Sequence, residues 1–374
     1  MDTAAKRRQL SAYVKVLVKQ RKGDTPQLPF SELADNAPER GVRRQKTLQS
    51  LDLFTGAGGL TLGLDAAGFT PLLAVERCAD ACATFGGMFP RVKIEPRPVE
   101  EFDFRKFEGI DLVAGGPPCQ PFSSGGKGLA AKDQRDMIPQ FIRAVEEARP
   151  RAFLLENVSA LFGTTHQNYL AKAVGRLSLL GYELSMSVLN AAEYGVPQKR
   201  RRGFIVGVRK GCFCFPAPTH GPRGSRPFVP TGLILRADTV QGEANDSKVF
   251  YAKTPDLRPS PYDGQMFNGG GRPIDLSAPC HTILASAGGN KTHFVDTLNI
   301  VPPYHAHLAR GGKPREGTLD GGRRITPEES ALIQTFPPTM KFCGAKSSRY
   351  TQIGNAVPPL LANALGQALR EALA

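Results

Sequence analysis

The chain has 374 residues, of which 41% are hydrophobic and 22% charged, a composition typical of a globular protein large enough for two domains. No apolar run approaches the ~20 residues of a membrane span, and the N-terminus has no signal-peptide apolar stretch, so the sequence argues against a membrane or secreted protein and predicts a cytoplasmic one. Lys and Arg number 48 against 34 Asp and Glu, and this net charge of +14 predicts a polyanionic partner, most simply nucleic acid.

Cysteine usage indicates reduced thiols. Seven cysteines, an odd number, are scattered along the chain, which does not suit a disulfide framework. Cys212-Phe213-Cys214 and Cys280-His281 are the only hints of a metal site. Their spacing matches no zinc pattern, so we predict no metal.

Residues 1–47 form a basic N-terminal extension. Apolar residues between Leu10 and Val18 recur at helical spacing and predict one short amphipathic helix. The extension either packs on the rest of the chain or contacts phosphates.

Alternating strand and helix patterns begin at Thr47. Residues 47–54 and Thr70–Val75 read as strands, and a glycine turn followed by a helix up to Gly68 lies between them. Glu76 follows the second strand about 20 residues after the turn, as in dinucleotide-binding folds. The third glycine of the dinucleotide fingerprint is replaced by Thr61, and a nicotinamide site stays an alternative here.

A second glycine-rich turn follows the predicted strand Ile110–Ala114 and carries Cys119, which neighbouring prolines restrain. Cys119 is either a nucleophile at the carboxyl end of a strand or a structural thiol. Another predicted strand begins at Ala152 and ends in Glu156-Asn157, where Glu156 serves the same site or caps a helix. With a further strand at Gly203–Val208, the pattern predicts a doubly wound, mostly parallel α/β sheet.

The basic run Gln198-Lys199-Arg200-Arg201-Arg202 enters that last strand. Period-two geometry places Arg200 and Arg202 on one face, where they could hold a polar base or its phosphate.

Beyond Arg209 the alternation stops. Residues 211–320 are rich in Gly and Pro without a clear helix period, which predicts a smaller, irregular domain. Helices follow at Ile325–Phe336, with Thr326 as cap and Pro327 in the first turn, and at Leu360–Leu373. We therefore divide the chain into four segments, which are residues 1–47, 48–210, 211–344 and 345–374.

The order of these motifs resembles the DNA (cytosine-5) methyltransferase family. The similar segments are Asp52–Gly59 with Glu76, Pro118-Cys119-Gln120, Glu156-Asn157-Val158, Gln198-x-Arg200-x-Arg202, Arg324–Glu329 and Gly354–Pro358. The resemblance covers roughly residues 48–208 and 323–374. It implies a Rossmann-like methyltransferase sheet with a target-recognition domain at 211–344 and a C-terminal segment that returns to the cofactor site.

The resemblance also implies site residues. Catalytic roles fall on Cys119, Glu156, Arg200 and Arg202. S-adenosyl-L-methionine contacts fall on Phe54, Thr55, Gly56, Gly58, Gly59, Glu76, Arg77, Val99, Pro118, Asn355 and Val357. For DNA contacts we select Gln120, Ser123, Ser124, Gly125, Lys127, Gln198, Lys291 and Thr292, and we expect the polar loop after Cys119 to close over a flipped base. Base reading is best placed in the stretch that contains His281, Thr282, Asn290, Lys291, Thr292 and His293, although surface loop is the preferred prediction for each of these residues.

Three departures from the family pattern stand out. Arg77 occupies a position that is usually aromatic, Pro98 lies where an Asp for the adenine amine is common, and Arg201 adds a charge between the motif arginines. The expected enzyme methylates double-stranded DNA as a monomer in a restriction-modification system, with a separate cognate endonuclease. The alternatives are an RNA cytosine methyltransferase, a non-catalytic DNA-binding protein and, last, a nicotinamide dehydrogenase.

Overall fold

A computed structural model of the chain describes residues 47–118, 136–235 and 240–374. The predicted N-terminal helix and six of the predicted site residues lie outside these ranges. Those six are Cys119, Gln120, Ser123, Ser124, Gly125 and Lys127.

Strands and helices alternate along the first half of the described chain. The strands are β1 Leu48–Leu53, β2 Phe69–Val75, β3 Lys93–Glu95, β4 Leu112–Gly115, β5 Ala152–Val158, β6 Glu183–Asn190, β7 Gln198–Lys199, β8 Arg201–Val208, β9 Tyr251–Asp256, β10 Gln265–Phe267, β11 Cys280–His281, β12 Phe294–Asp296 and β13 Gly322–Arg324. The helices are α1 Gly59–Ala66, α2 Ala79–Met88, α3 Ile138–Ala148, α4 Gln167–Leu179, α5 Val301–Ala309, α6 Pro327–Ile333, α7 Lys346–Asn355 and α8 Pro359–Ala372.

Seven strands form the central sheet in the order β3-β2-β1-β4-β5-β8-β6. Neighbours from β3 to β5 pair in parallel, whereas β8 runs antiparallel to both β5 and β6. The predicted doubly wound, mostly parallel sheet is confirmed. The chain reverses its winding direction between β1 and β4, where Leu53 pairs with Gly115. Ligands of such sheets bind at this switch point, so the two glycine turns open into one crevice.

Both faces of the sheet are covered, which explains why its strands are nearly continuous apolar runs. On one face α1 and α8 pack against Phe69, Leu112 and Phe204. On the other, α3 and α4 pack against Leu53 and Phe153. The predicted terminal helix is confirmed as α8.

One predicted strand runs one residue past its expected end. The strand expected to end in Glu156-Asn157 continues through Val158, because the antiparallel β8 supplies partners as far as Arg202. Glu156 and Asn157 therefore lie inside β5. The alternative that Glu156 caps a helix is wrong, since the following short helix begins after Val158 and has no side-chain cap.

The Gly- and Pro-rich region is mostly irregular, as predicted, but it contains the unpredicted helix α5. Helix α5 packs with β9 and β10 around Tyr304 and Phe267. A second cluster joins this region to the sheet, because Ile283 and Phe336 lie in one core with Leu62 of α1.

Helix α6 begins as its sequence predicts. Thr326 Oγ1 accepts from Glu329 N–H at 3.0 Å, Glu329 Oε2 accepts from Thr326 N–H at 2.9 Å, and Pro327 occupies the first turn. This reciprocal pair is a capping box and satisfies two N–H groups that the helix leaves free.

Candidate active site

The turn after β1 brings backbone N–H groups to the carboxylate that follows β2. Gly56 N–H donates to Glu76 Oε2 at 2.9 Å, and Cys78 N–H donates to Glu76 Oε1 at 2.8 Å. Positive φ angles of 55° at Gly56 and 86° at Gly58 bend the chain into α1, a conformation open to glycine at no steric cost. Glu76 is thereby held at the mouth of the crevice.

The C-terminal segment returns to this turn. A Cβ atom placed on Gly59 would lie 2.4 Å from Val357 O, so only glycine allows the close approach of the two backbones. Val357 is buried, whereas Asn355, at the end of α7, is exposed.

The second glycine turn meets a buried carboxyl group on β5. Glu156 is 7% exposed, and its Oε1 lies 3.1 Å from Arg202 Nε. A Cβ atom placed on Gly116 would lie 2.7 Å from Glu156 Oε2, so the carboxyl group rests against the turn that leads to Cys119. Asn157 Nδ2 donates to Pro117 O at 3.2 Å and ties the same turn to β5.

Burial raises the pKa of Glu156, and the opposing charges of Arg202 and Arg200 reduce the rise without reversing it. A raised pKa favours the protonated acid, which can donate a proton or hydrogen bond to a ligand atom. The site therefore holds a buried carboxyl group with a raised pKa in contact with the cysteine-bearing turn.

Arg200 points into the protein. Its side chain is fully buried, Nη1 donates to Ile283 O at 3.2 Å, and Nη2 donates to Gly354 O at 2.7 Å. The predicted period-two alternation is present, because Lys199 and Arg201 are exposed.

Comparisons with known proteins agree with this geometry. The family model described as "C-5 cytosine-specific DNA methylase" matches residues 48–223 and 281–371. The chain is 33% identical over 336 residues to the Type II methyltransferase M.AplI of Arthrospira platensis, covering 88% of this chain and 87% of that one. It is also 33% identical over 330 residues to the Type II methyltransferase M.NgoMIV of Neisseria gonorrhoeae, covering 87% and 97%.

The chain belongs to the C-5 cytosine-specific DNA methylase family. It is a C-5 cytosine DNA methyltransferase of the restriction-modification type. Its fold matches that of a Spodoptera frugiperda DNMT2 variant with a TM-score of 0.63 at 17% identity, over 86% of this chain and 99% of that one.

The space beside the glycine turn of the methylase fits S-adenosyl-L-methionine. A Cβ atom placed on Gly56, whose N–H donates to the half-buried carboxylate of Glu76, would meet no described atom within 4 Å, so open space lies beside this turn. Each Glu76 oxygen that accepts one backbone N–H keeps a lone pair that can accept from a ribose hydroxyl. Among the described residues, no cluster of three or more His, Cys, Asp or Glu side chains is arranged to bind a metal.

The remaining predicted cofactor residues differ in exposure. Val99 is 4% exposed in the core, and its carbonyl accepts from Arg143 Nη2 at 2.7 Å. Arg77 is exposed, and Phe54, Thr55 and Pro118 are half-buried. The structure thus brings the glycine turn, Glu76 and Val357 together and leaves Arg77 at the rim.

Two predicted surface residues are buried, so the surface-loop prediction is wrong for them. Thr292 is 1% exposed, and its hydroxyl accepts from Gly288 N–H at 2.9 Å, an arrangement that does not support direct contact with DNA. Burial lowers the pKa of His293 to about 4, and its ring lies between Arg272 N–H and Thr282 O. Lys291 is exposed, as expected for a phosphate contact.

The roles of three residues were not predicted from the sequence. Asn157 anchors the cysteine-bearing turn, Gln334 bonds the buried Gln198, and Asp52 lies buried at the end of β1. A glutamine at an apolar position of the predicted helix Ile325–Phe336 is the signal that could have identified Gln334.

Among the described residues, no helix is long and apolar enough to cross a bilayer.

Proposed function

We propose that the methylase transfers the methyl group of S-adenosyl-L-methionine to carbon 5 of a flipped-out cytosine in double-stranded DNA, through a covalent adduct with Cys119. One observation carries this proposal. A buried Glu156, whose pKa burial raises and which pairs with Arg202, rests against the turn that leads to Cys119, in the crevice that the turn after β1 also borders.

The residue types suit the reaction. Carbon 5 of cytosine is a weak nucleophile, and addition of a thiolate to carbon 6 converts the ring to an enamine that is reactive at carbon 5. Glu156 supplies a proton or hydrogen bond to ring N3 as charge develops there, and Arg202 is placed to hold the base O2. After transfer, removal of the carbon 5 proton by a base, which we assign to water, lets the Cys119 sulfur leave.

When bound, S-adenosyl-L-methionine supplies an electrophilic methyl group. Glu76 would accept from its ribose hydroxyls, and the turn from Phe54 to Gly59 together with Val357 would enclose the rest. Asn355, Val99, Arg77 and Pro118 are proposed contacts at the margins of that site.

The target base must leave the DNA stack, because these atoms cannot be reached inside a duplex. We assign the loop residues Gln120, Ser123, Ser124, Gly125 and Lys127 and the exposed Lys291 to DNA contact, and residues 211–344 to target recognition. The enzyme then acts as a cytoplasmic monomer that protects host DNA against a separately acting endonuclease.

Expression in methylation-free bacterial cells followed by genome-wide mapping of 5-methylcytosine tests the proposal. We expect methylation of a single short motif, and its complete loss with Cys119→Ser. Methylation that survives in Cys119→Ser would overturn the nucleophile assignment. Unmethylated DNA in cells that contain soluble, folded protein would overturn the DNA substrate and direct the search to RNA.

A further inference from the structure

Several polar side chains of the described chain are completely buried, and three of them are bonded to one another or to the same backbone segments. These three are Gln198, Arg200 and Gln334, each 0% exposed. Burying such groups costs free energy unless their hydrogen bonds are replaced inside the protein. Their partners therefore indicate what the arrangement maintains.

The two glutamines bond each other and two separate backbones. Gln198 Nε2 donates to Gln334 Oε1 at 3.0 Å, and Gln198 Oε1 accepts from Ile283 N–H at 2.9 Å. Gln334 Nε2 then donates to Ile353 O at 2.7 Å. Each amide uses one donor and one acceptor, so both side chains have a defined orientation.

Arg200 joins the same two backbones a second time. It donates to the carbonyls of Ile283 and Gly354 at 3.2 and 2.7 Å. The carbonyls of Ile353 and Gly354 belong to the last turn of α7, where a cation is favoured, and Ile353 O also accepts from Ala356 N–H at 3.2 Å. The segment at Ile283 is thus fixed to the end of α7 through both its N–H and its C=O.

Each end of this cluster lies next to a functional group. Arg200 precedes, by two residues, Arg202, which pairs with Glu156. Gly354 precedes, by three residues, Val357, whose carbonyl adjoins Gly59 of the cofactor turn. Ile283 lies in the region assigned to DNA recognition, directly after β11.

We propose that Gln198, Arg200 and Gln334 are positioning residues that couple DNA binding at the segment around Ile283 to cofactor binding at the Gly59–Val357 contact. The proposal rests on the function proposed above. A buried polar network has one fully bonded arrangement, so a ligand that orders one attached segment favours the arrangement of the others. Binding of cofactor and DNA must then assist each other by the same factor.

Substitution at Gln334 tests the coupling. Gln334→Met keeps the side-chain volume but removes the bond from Gln198 Nε2 and the bond from Gln334 to Ile353 O, which keeps only Ala356 N–H. Gln352→Met is the matched control, because Gln352 is also buried, on α7, but donates to Cys343 O and Ser348 Oγ outside the cluster. The affinity for a duplex carrying the mapped motif is measured by fluorescence anisotropy with and without S-adenosyl-L-homocysteine.

For the wild-type protein and Gln352→Met we expect S-adenosyl-L-homocysteine to tighten DNA binding by about fivefold or more. We define the coupling ratio as the DNA affinity with S-adenosyl-L-homocysteine divided by the DNA affinity without it. For Gln334→Met we expect this ratio to approach one, whatever the change in thermal stability. A merely structural glutamine would lower the stability and leave the ratio unchanged. If Gln334→Met fails to fold, Gln198→Glu serves instead, because its carboxylate still accepts from Ile283 N–H but cannot donate to Gln334.

Two results would overturn the coupling. One is a wild-type protein whose DNA affinity does not change with S-adenosyl-L-homocysteine, and the other is a Gln334→Met variant whose DNA affinity increases as much as that of the wild type. Failure of the proposed function appears separately, as absence of DNA methylation by the wild-type protein before any variant is compared. A methylating wild-type enzyme whose variants keep the ratio contradicts the coupling alone.

Discussion

Glu156 shows how a single residue can be prepared for acid catalysis. Burial opposes its negative charge, while Arg202 at 3.1 Å limits the rise of its pKa and orients the carboxyl group. Because a group with a raised pKa keeps its proton until pH rises through the folded-state pKa, the proposed acid function is present below that pKa and is lost as pH rises through it.

Glu156→Gln should lower the single-turnover methylation rate by about 10²- to 10⁴-fold, the usual contribution of general acid-base catalysis. The decline of the rate with rising pH that depends on Glu156 should also disappear from the pH–rate profile, since the amide does not titrate. Glu146→Gln, at an exposed position of α3, is the control and should leave both unchanged. A Glu156→Gln enzyme with the wild-type rate would exclude the acid role.

Asp52 is a second buried carboxyl group, at the end of β1. Its Oδ2 accepts from Ser50 Oγ at 3.4 Å, whereas Oδ1 has no hydrogen-bond partner among the described residues. Burial raises the pKa of Asp52 to about 7 from 3.8, with a smaller contribution from Asp65 in the same direction, while hydrogen bonds with Thr61 and Ser50 lower it. The folded protein then holds a proton between these pH values that the unfolded chain releases.

The stability contributed by this proton is complete below about pH 4 and is lost as pH rises through about 7, a change of up to about 4 kcal/mol. Asp52→Asn should remove that part of the pH dependence of the free energy of unfolding, measured by urea denaturation. Asp320→Asn, an exposed control, should preserve it. Identical pH dependence in Asp52→Asn and the wild type would contradict a raised pKa.

At the scale of elements, the contact between α1 and α8 depends on glycine. A Cβ atom placed on Gly63 would lie 2.4 Å from both Ala362 Cβ and Pro359 O. This contact supports the cofactor turn, because α1 begins at Gly59 and α8 follows Val357.

Gly63→Ala should therefore destabilise the fold by about 1–3 kcal/mol through overpacking. Gly175→Ala on the exposed side of α4 meets no described atom within 4 Å and should instead stabilise by about 0.5–1 kcal/mol, because alanine favours helix. Denaturation midpoints of the two variants measure both effects. Equal shifts of the same sign would contradict the close approach of α1 and α8.

At the scale of the whole molecule, the net charge of +14 favours binding to the phosphates of DNA. A protein that contacts about six phosphates loses about 10³-fold in DNA affinity between 50 and 200 mM salt. The reason is that the release of counterions from the DNA favours binding less as the salt concentration rises. We expect a loss of this order for the methylase, measured by anisotropy. Binding of S-adenosyl-L-homocysteine, measured by calorimetry in the same buffers, should change little, and a DNA affinity that is independent of salt would contradict phosphate-driven binding.

Features that depend on neighbouring residues could be predicted from the sequence alone. The glycine turns after β1 and β4, the acid after β2 and the cap at Thr326 are local, because turn and cap conformations are determined within a few residues. Their order along the chain was sufficient to indicate the family, which the comparisons confirm.

Features that depend on distant partners were decided by the tertiary structure. The length of β5 follows from pairing with β8, about 50 residues later, and the burial of Thr292 follows from packing within its own region. Arg200 and Gln334 acquire their partners across more than 80 and 130 residues, at Ile283 and Gln198. Hydrophobic periodicity carries no information on which buried polar groups meet, since that depends on how separate segments pack. The sequence by itself therefore determined the glycine turns, the acid after β2 and the helix cap, and only the tertiary structure decided how these parts are joined.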